Sequence, residues 1–126
     1  MDHVYPNNFG KNYPNICSLK EAGGKSTKVS ETICALDDDF VVLSGDDGLT
    51  LPFMACGAKG VISVASNIMP NMVSHLVTLA AEAKFEEALS SNEYNVKLKK
   101  KLYKKRLFRK KSLIKNPLLK MNTSEP

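Results

Sequence analysis

No stretch of this 126-residue chain is apolar over the ~20 residues that a membrane-spanning helix needs. The first residues, Met1-Asp2-His3-Val4-Tyr5, carry neither a basic region nor an apolar core. No export signal is therefore expected, and the protein is expected in the cytoplasm. No two cysteines stand close enough for a CxxC motif. Cys17, Cys34 and Cys56 are odd in number, far apart and set among apolar neighbours. We read them as reduced, buried thiols rather than metal ligands. Histidine is scarce and isolated (His3, His75), and Ser44, Ser63 and Ser66 have no convincing His/Asp partners, so a hydrolase triad is not supported. With 43% hydrophobic residues and no low-complexity block, the chain fits one domain.

Acidic residues are missing from one end only. Residues 97–126 carry 12 Lys and Arg against the single acid Glu125, a net +11, whereas residues 1–96 have a net −6. The overall +5 thus hides an acidic body and a strongly basic tail.

What the chain does contain is three short apolar runs. Ile16-Cys17-Ser18-Leu19-Lys20-Glu21-Ala22 ends in Gly23-Gly24, Phe40-Val41-Val42-Leu43-Ser44 ends in Gly45-Asp46-Asp47, and Gly60-Val61-Ile62-Ser63-Val64 ends in Ala65-Ser66-Asn67. Runs of this length, rich in Val and Ile and separated by helix-sized spacers, predict parallel strands covered on both faces. Lys20 falls at the carboxyl end of the first, where parallel α/β folds place their chemistry.

The spacers read as helices. Ser26 or Thr27 can cap a helix reaching Ala35 or Leu36, with Val29, Ile33 and Leu36 on one face. Asp46 or Asp47 can cap a short helix that turns Leu49, Phe53 and Met54 inward and tolerates Pro52 in its first turn. Pro70 suits the start of a longer helix with the stripe Met72, Val73, Leu76, Val77, Ala80 and Ala83. A further turn or two is expected over residues 85–89, then a basic helix from Asn92 with Val96, Leu98, Leu102, Leu107 and Phe108, ended by Asn116-Pro117. The division expected is an irregular lead-in (1–14), an α/β part (15–91) and a basic helical tail (92–126).

The blocks Leu19-Lys20-Glu21-Ala22-Gly23-Gly24, Val42-Leu43-Ser44-Gly45-Asp46-Asp47 and Gly57-Ala58-Lys59-Gly60-Val61-Ile62-Ser63-Val64 resemble, in order and spacing, the dihydrodipicolinate synthase / N-acetylneuraminate lyase family. The Ser-Gly-Asp-Asp block looks most like the synthase branch. The resemblance spans residues 13–90 and fades in the tail, where Asn116-Pro117-Leu118-Leu119-Lys120 departs from the family's Asn-Pro-x-Pro-x-Lys ending. It implies an α/β fold, a partial (β/α)8 barrel of about strands six to eight with their helices, plus C-terminal helices. It also implies a class I aldolase that needs no cofactor and holds pyruvate as a Schiff base on Lys20. Gly60, Val61 and the backbone of Ile62 would line the pyruvate pocket, and the synthases condense pyruvate with aspartate semialdehyde for lysine biosynthesis. The family's carboxylate-binding threonines and relay tyrosine lie in its first five strand-helix units, which this chain does not contain. Tyr5 and Tyr13 do not sit in that tyrosine motif. The partners implied are pyruvate, an aldehyde, an N-terminal half from another chain, or further copies, since relatives commonly form tetramers.

Each candidate has a plainer counterpart. A free lysine is almost wholly protonated at neutral pH, so Schiff-base chemistry needs burial to lower its pKa. The alternative is a surface lysine paired with Glu21. Asp46 and Asp47 could serve a metal or acid–base role, but helix capping explains them and no third ligand is evident. Gly23-Gly24 could cradle phosphate or simply turn the chain. His75 reads as structural. The tail could bind polyanions or an anionic membrane surface, or be a solvated helix face. No base-reading motif accompanies it, so neither nucleic acid nor membrane is an expected partner. The rival to an enzyme is a non-catalytic fragment or interaction module with a polyanion-binding tail.

Overall fold

The computed structural model describes the backbone of residues 12–114 and the side chains of residues 12–101 and 104. The elements are β1 (Ser18–Glu21), α1 (Ser26–Ala35), β2 (Val41–Ser44), a 3-10 turn (Asp47–Leu49) leading into α2 (Thr50–Ala55), a second 3-10 turn (Ala65–Asn67), α3 (Pro70–Ala81) and α4 (Phe85–Ile114). β1 and β2 pair in parallel, with Lys20 opposite Leu43 and Glu21 opposite Ser44. The third run lies against the other edge of β2. Lys59 N donates to Val42 O, Ser44 N to Gly60 O and Ile62 N to Ser44 O, all at 2.8–2.9 Å. Only Val61 forms a ladder bridge, so the expected third strand is an extended segment paired over about three residues. The three apolar runs thus lie side by side in chain order, connected by helical crossovers as parallel pairing demands.

Two apolar clusters hold the helices to this sheet. One joins α1, β2 and α2 through Val29, Val42, Phe53 and Ala58, with Ile33 and Leu36 at its margin. The other joins α2, α3 and α4 through Leu51, Leu76, Leu79, Ala80 and Ala88, with Met54 beside it. α2 is the wedge between them. Phe53 faces one cluster and Leu51 the other, and full burial of a side chain the size of Phe53 contributes about 1.5–3 kcal/mol.

Several expectations change at this level. Ser26 is the first helical residue of α1, not its cap; Lys25 takes the cap position with no side-chain bond. Leu79 joins the buried stripe of α3, and Ala83 leaves it. Ala83 has φ +59° and ends the helix in a left-handed turn, with Lys84 N bonded to Leu79 O and Ala83 N to Ala80 O. The helical turns expected over residues 85–89 and the basic helix expected from Asn92 are one helix, α4, of 30 residues, about 45 Å. Cys17 and Cys34 are exposed and Cys56 half-buried, all free thiols, so the expected burial is not found. An apolar neighbourhood in sequence does not say which way a residue faces. No helix among the described residues is long and apolar enough to cross a membrane. Tyr5, His3 and Asn116-Pro117 lie outside the described residues.

Candidate active site

The carboxyl ends of β1 and β2 carry the side chains of interest. Alternation along β1 sends Leu19 and Glu21 to one face and Lys20 to the other. Glu21 is buried, accepts the N–H of Gly23 and lies 3.8 Å from Lys28 Nζ on α1. The partner of Glu21 is therefore Lys28 and not Lys20. Lys20 is exposed. The water-excluding pocket expected around it is not built by the described residues.

Lys20 shares a ladder row with Leu43, and Gly60 flanks that row, where a Cβ would come 3.6 Å from Leu43 Cδ2. Gly60 is buried, Val61 half-buried and Ile62 exposed. The three expected pocket residues therefore share a sheet with Lys20, on the far side of β2. Gly45, which sequence reasoning passed over as turn punctuation, is packed directly under Lys20. A Cβ on it would lie 2.9 Å from Lys20 Cε, 2.9 Å from Ala22 Cβ and 3.1 Å from Lys20 Cγ. Its N–H continues the ladder to Glu21 O at 2.7 Å. A side chain on residue 45 would force the lysine stem or Ala22 to shift.

Both aspartates are engaged in hydrogen bonds that tie distant segments to the turn after β2. Asp46 caps the 3-10 turn through Gly48 N (2.8 Å) and binds Lys99 Nζ of α4. Partial burial alone would push its carboxyl up. The hydrogen bond and charge of Lys99, with the N–H groups of Gly48 and Leu49, outweigh burial and hold it below its ordinary value. Asp47 is buried and accepts from Ser63 Oγ, Val64 N (3.0 Å) and Ala65 N (3.1 Å), pinning the chain after the third run to the turn after β2. Ser44 Oγ donates to Asp46 O, and Ser66 N donates to Ser63 Oγ, both at 2.9 Å. No group of three His, Cys, Asp or Glu among the described residues could hold a metal ion. His75 is exposed on α3.

Parallel strands, helical crossovers and polar groups gathered past the strand ends mark the class of α/β proteins whose chemistry sits at the carboxyl ends of the sheet. The Dihydrodipicolinate synthetase family matches residues 8–124. The chain is 53% identical over 88 residues to the 4-hydroxy-tetrahydrodipicolinate synthase of Sulfurihydrogenibium sp., covering 68% of this chain and 30% of that protein. It is 48% identical over 103 residues to that of Persephonella marina, covering 79% and 35%. Among solved structures, the dihydrodipicolinate synthase of Aquifex aeolicus superposes with a TM-score of 0.74 at 43% identity, over 77% of this chain and 33% of that one. That of Thermotoga maritima gives 0.74 at 26%, over 79% and 36%. The chain belongs to the Dihydrodipicolinate synthetase family, a family of lyases. It spans about a third of the length of the relatives it matches.

Proposed function

We propose that this chain supplies strands six to eight, their helices and the Schiff-base lysine of a 4-hydroxy-tetrahydrodipicolinate synthase-type (β/α)8 barrel. The observation that carries this reading is the seat of Lys20 at the carboxyl end of β1. There it shares a row with Leu43, its stem crosses Gly45, and Gly60, Val61 and Ile62 lie beyond β2. The unprotonated amine adds to the ketone carbon of pyruvate, water leaves, and a C=N bond joins Lys20 to the substrate. Loss of a methyl proton then gives the enamine, whose carbon attacks the aldehyde of aspartate semialdehyde, the condensation that opens the lysine branch. Gly60 and the backbone of Ile62 border the pyruvate.

The reaction needs a dry amine, and the exposed Lys20 obtains one only when the ring is closed. A segment with the family's first five strand-helix units, on this polypeptide or another, would close it, adding strands along the outer edge of β1 and beyond residues 60–62. It would bring the carboxylate-binding threonines and the relay tyrosine.

The test is reductive trapping. Pyruvate and borohydride are added to the chain alone and to the chain co-expressed with the N-terminal units of a relative, and the adduct is located by mass spectrometry. The expected result is a reduced pyruvyl adduct on Lys20, stronger in the complemented sample and absent in Lys20→Ala. A complemented sample that assembles yet stays unmodified at Lys20 overturns the proposal.

A further inference from the structure

α4 divides by charge along its length and by burial around its circumference. Its acids end at Glu93, and none recurs before Glu125. Ala88, Asn92 and Asn95 are buried where α4 packs on α3 and on the turn after β2. Lys99, on that same side of the helix, binds Asp46. Lys97, Lys100, Lys101 and Lys104 stand at i, i+3, i+4 and i+7, so they form one stripe, centred opposite the buried side. All four are exposed, and none has a carboxylate partner among the described residues. Lys100 and Lys104 form the edge of the stripe nearest the turn after β2.

Like charges three and four residues apart repel, so the stripe weakens the helix that carries it. Among the described residues the one body acid that pairs with a lysine of α4 is Asp46, and it takes Lys99. Neutralisation of the stripe therefore falls to an anion from outside. From Lys97 to Lys104 the helix rises about 10 Å, a length over which one strand of a duplex presents about three phosphates. A helix that lies in a membrane surface needs a free apolar face beside its charged one. Here the side turned away from the lysines is packed on the body and is not free to enter a bilayer.

We propose that this stripe binds the phosphate backbone of double-stranded nucleic acid without regard to sequence. The absence of a base-reading motif argues against sequence recognition, but backbone contacts need no such motif. What the fold adds is the anchoring of α4 by its opposite side, which holds four ammonium groups outward in one row. Binding here requires neither the Schiff base on Lys20 nor closure of a barrel.

Fluorescence anisotropy of a short labelled DNA duplex, titrated with the full chain at several salt concentrations, tests this. Each neutralised phosphate contributes about −0.9 to the slope of log affinity against log salt, so four lysines predict about −3.6 or steeper. A slope shallower than about −2, or no binding, overturns the proposal. Lys97→Gln, Lys100→Gln, Lys101→Gln and Lys104→Gln together keep good helix formers on the exposed face and should weaken binding at least about tenfold. Lys25→Gln, Lys28→Gln, Lys59→Gln and Lys84→Gln together remove the same charge from exposed positions on the body and should leave affinity within about threefold. Equal losses in the two sets would show attraction to net charge alone and would overturn the proposal. So would binding to phosphatidylserine vesicles with none to the duplex. Should the fourfold stripe variant fail to fold, Lys97→Gln with Lys101→Gln must still make the slope shallower by about 2, and an unchanged slope there overturns the proposal.

Discussion

Gly45→Ala is the sharpest test of how Lys20 is seated. Its new methyl would stand 2.9 Å from both Lys20 Cε and Ala22 Cβ, and 3.1 Å from Lys20 Cγ. Carbon atoms rest at about 3.5–4.0 Å, so each contact overlaps by roughly half an ångström. The lysine stem can swing aside. Ala22 Cβ moves only with its backbone, which is tied to β2 through the bond from Gly45 N to Glu21 O. Overpacking of this kind costs typically about 1–3 kcal/mol, and we expect about 1–2 because one of the two obstacles is flexible. At a urea slope of about 2 kcal/mol/M the midpoint should fall by roughly 0.5–1 M. Lys20→Ala removes two of the three contacts, so Gly45→Ala should cost less in that background, by at least about 0.5 kcal/mol. Urea unfolding of the four proteins, followed by circular dichroism, completes the cycle. Additivity within about 0.3 kcal/mol, or an unmoved midpoint in Gly45→Ala, would refute the crossing of Lys20 over the glycine.

Asp47→Ala strips the acceptor from Ser63 Oγ, Val64 N and Ala65 N and should cost about 2–4 kcal/mol, on the order of 10 °C in Tm by calorimetry. Asp46 has a depressed folded pKa, so its contribution is fully present above the unfolded value near 3.8 and lost as pH falls through the folded one. Both partners are partly exposed, so that contribution is about 0.2–1 kcal/mol. Urea midpoints of Lys99→Met should lose the part of this acid sensitivity that Lys99 supplies, the Gly48 and Leu49 N–H groups keeping the rest, with any dependence above pH 5 unchanged. Ala83→Gly relieves a left-handed residue at the close of α3 and should raise the midpoint by the equivalent of about 0.5–1 kcal/mol.

The order of the three paired segments was legible from short apolar runs set between helix-sized spacers, but the expected cover on both faces is not found, since Ser18 and Lys20 of β1 are exposed. The helices were legible too, since Val29, Ile33 and Leu36 of α1 and Val73, Leu76 and Ala80 of α3 repeat at helical spacing. On α4 the helix was legible but its buried face was not. Its buried face includes Ala88, Asn92 and Asn95, which repeat at helical intervals but are small or polar, so no apolar stripe announces them. Gly45 was equally silent. A glycine that ends a turn and a glycine that admits a neighbour's side chain look alike in one dimension. The aspartates were half legible. Asp46 caps the local turn, as an acid before a helix does, but Asp47 bonds 16–18 residues ahead, a distance no local pattern encodes.

The order of amino acids was enough to mark a parallel α/β chain of one family, with a lysine at a strand's end and opposite charges on body and tail, because local propensity and motif spacing suffice for each. Folding in three dimensions was needed to turn Glu21 to Lys28 and away from Lys20, to run the lysine stem over Gly45, and to lay Lys99 of α4 on Asp46. Those outcomes depend on which face a side chain takes and what another segment brings to meet it, and such meetings are set by packing between elements far apart in the chain.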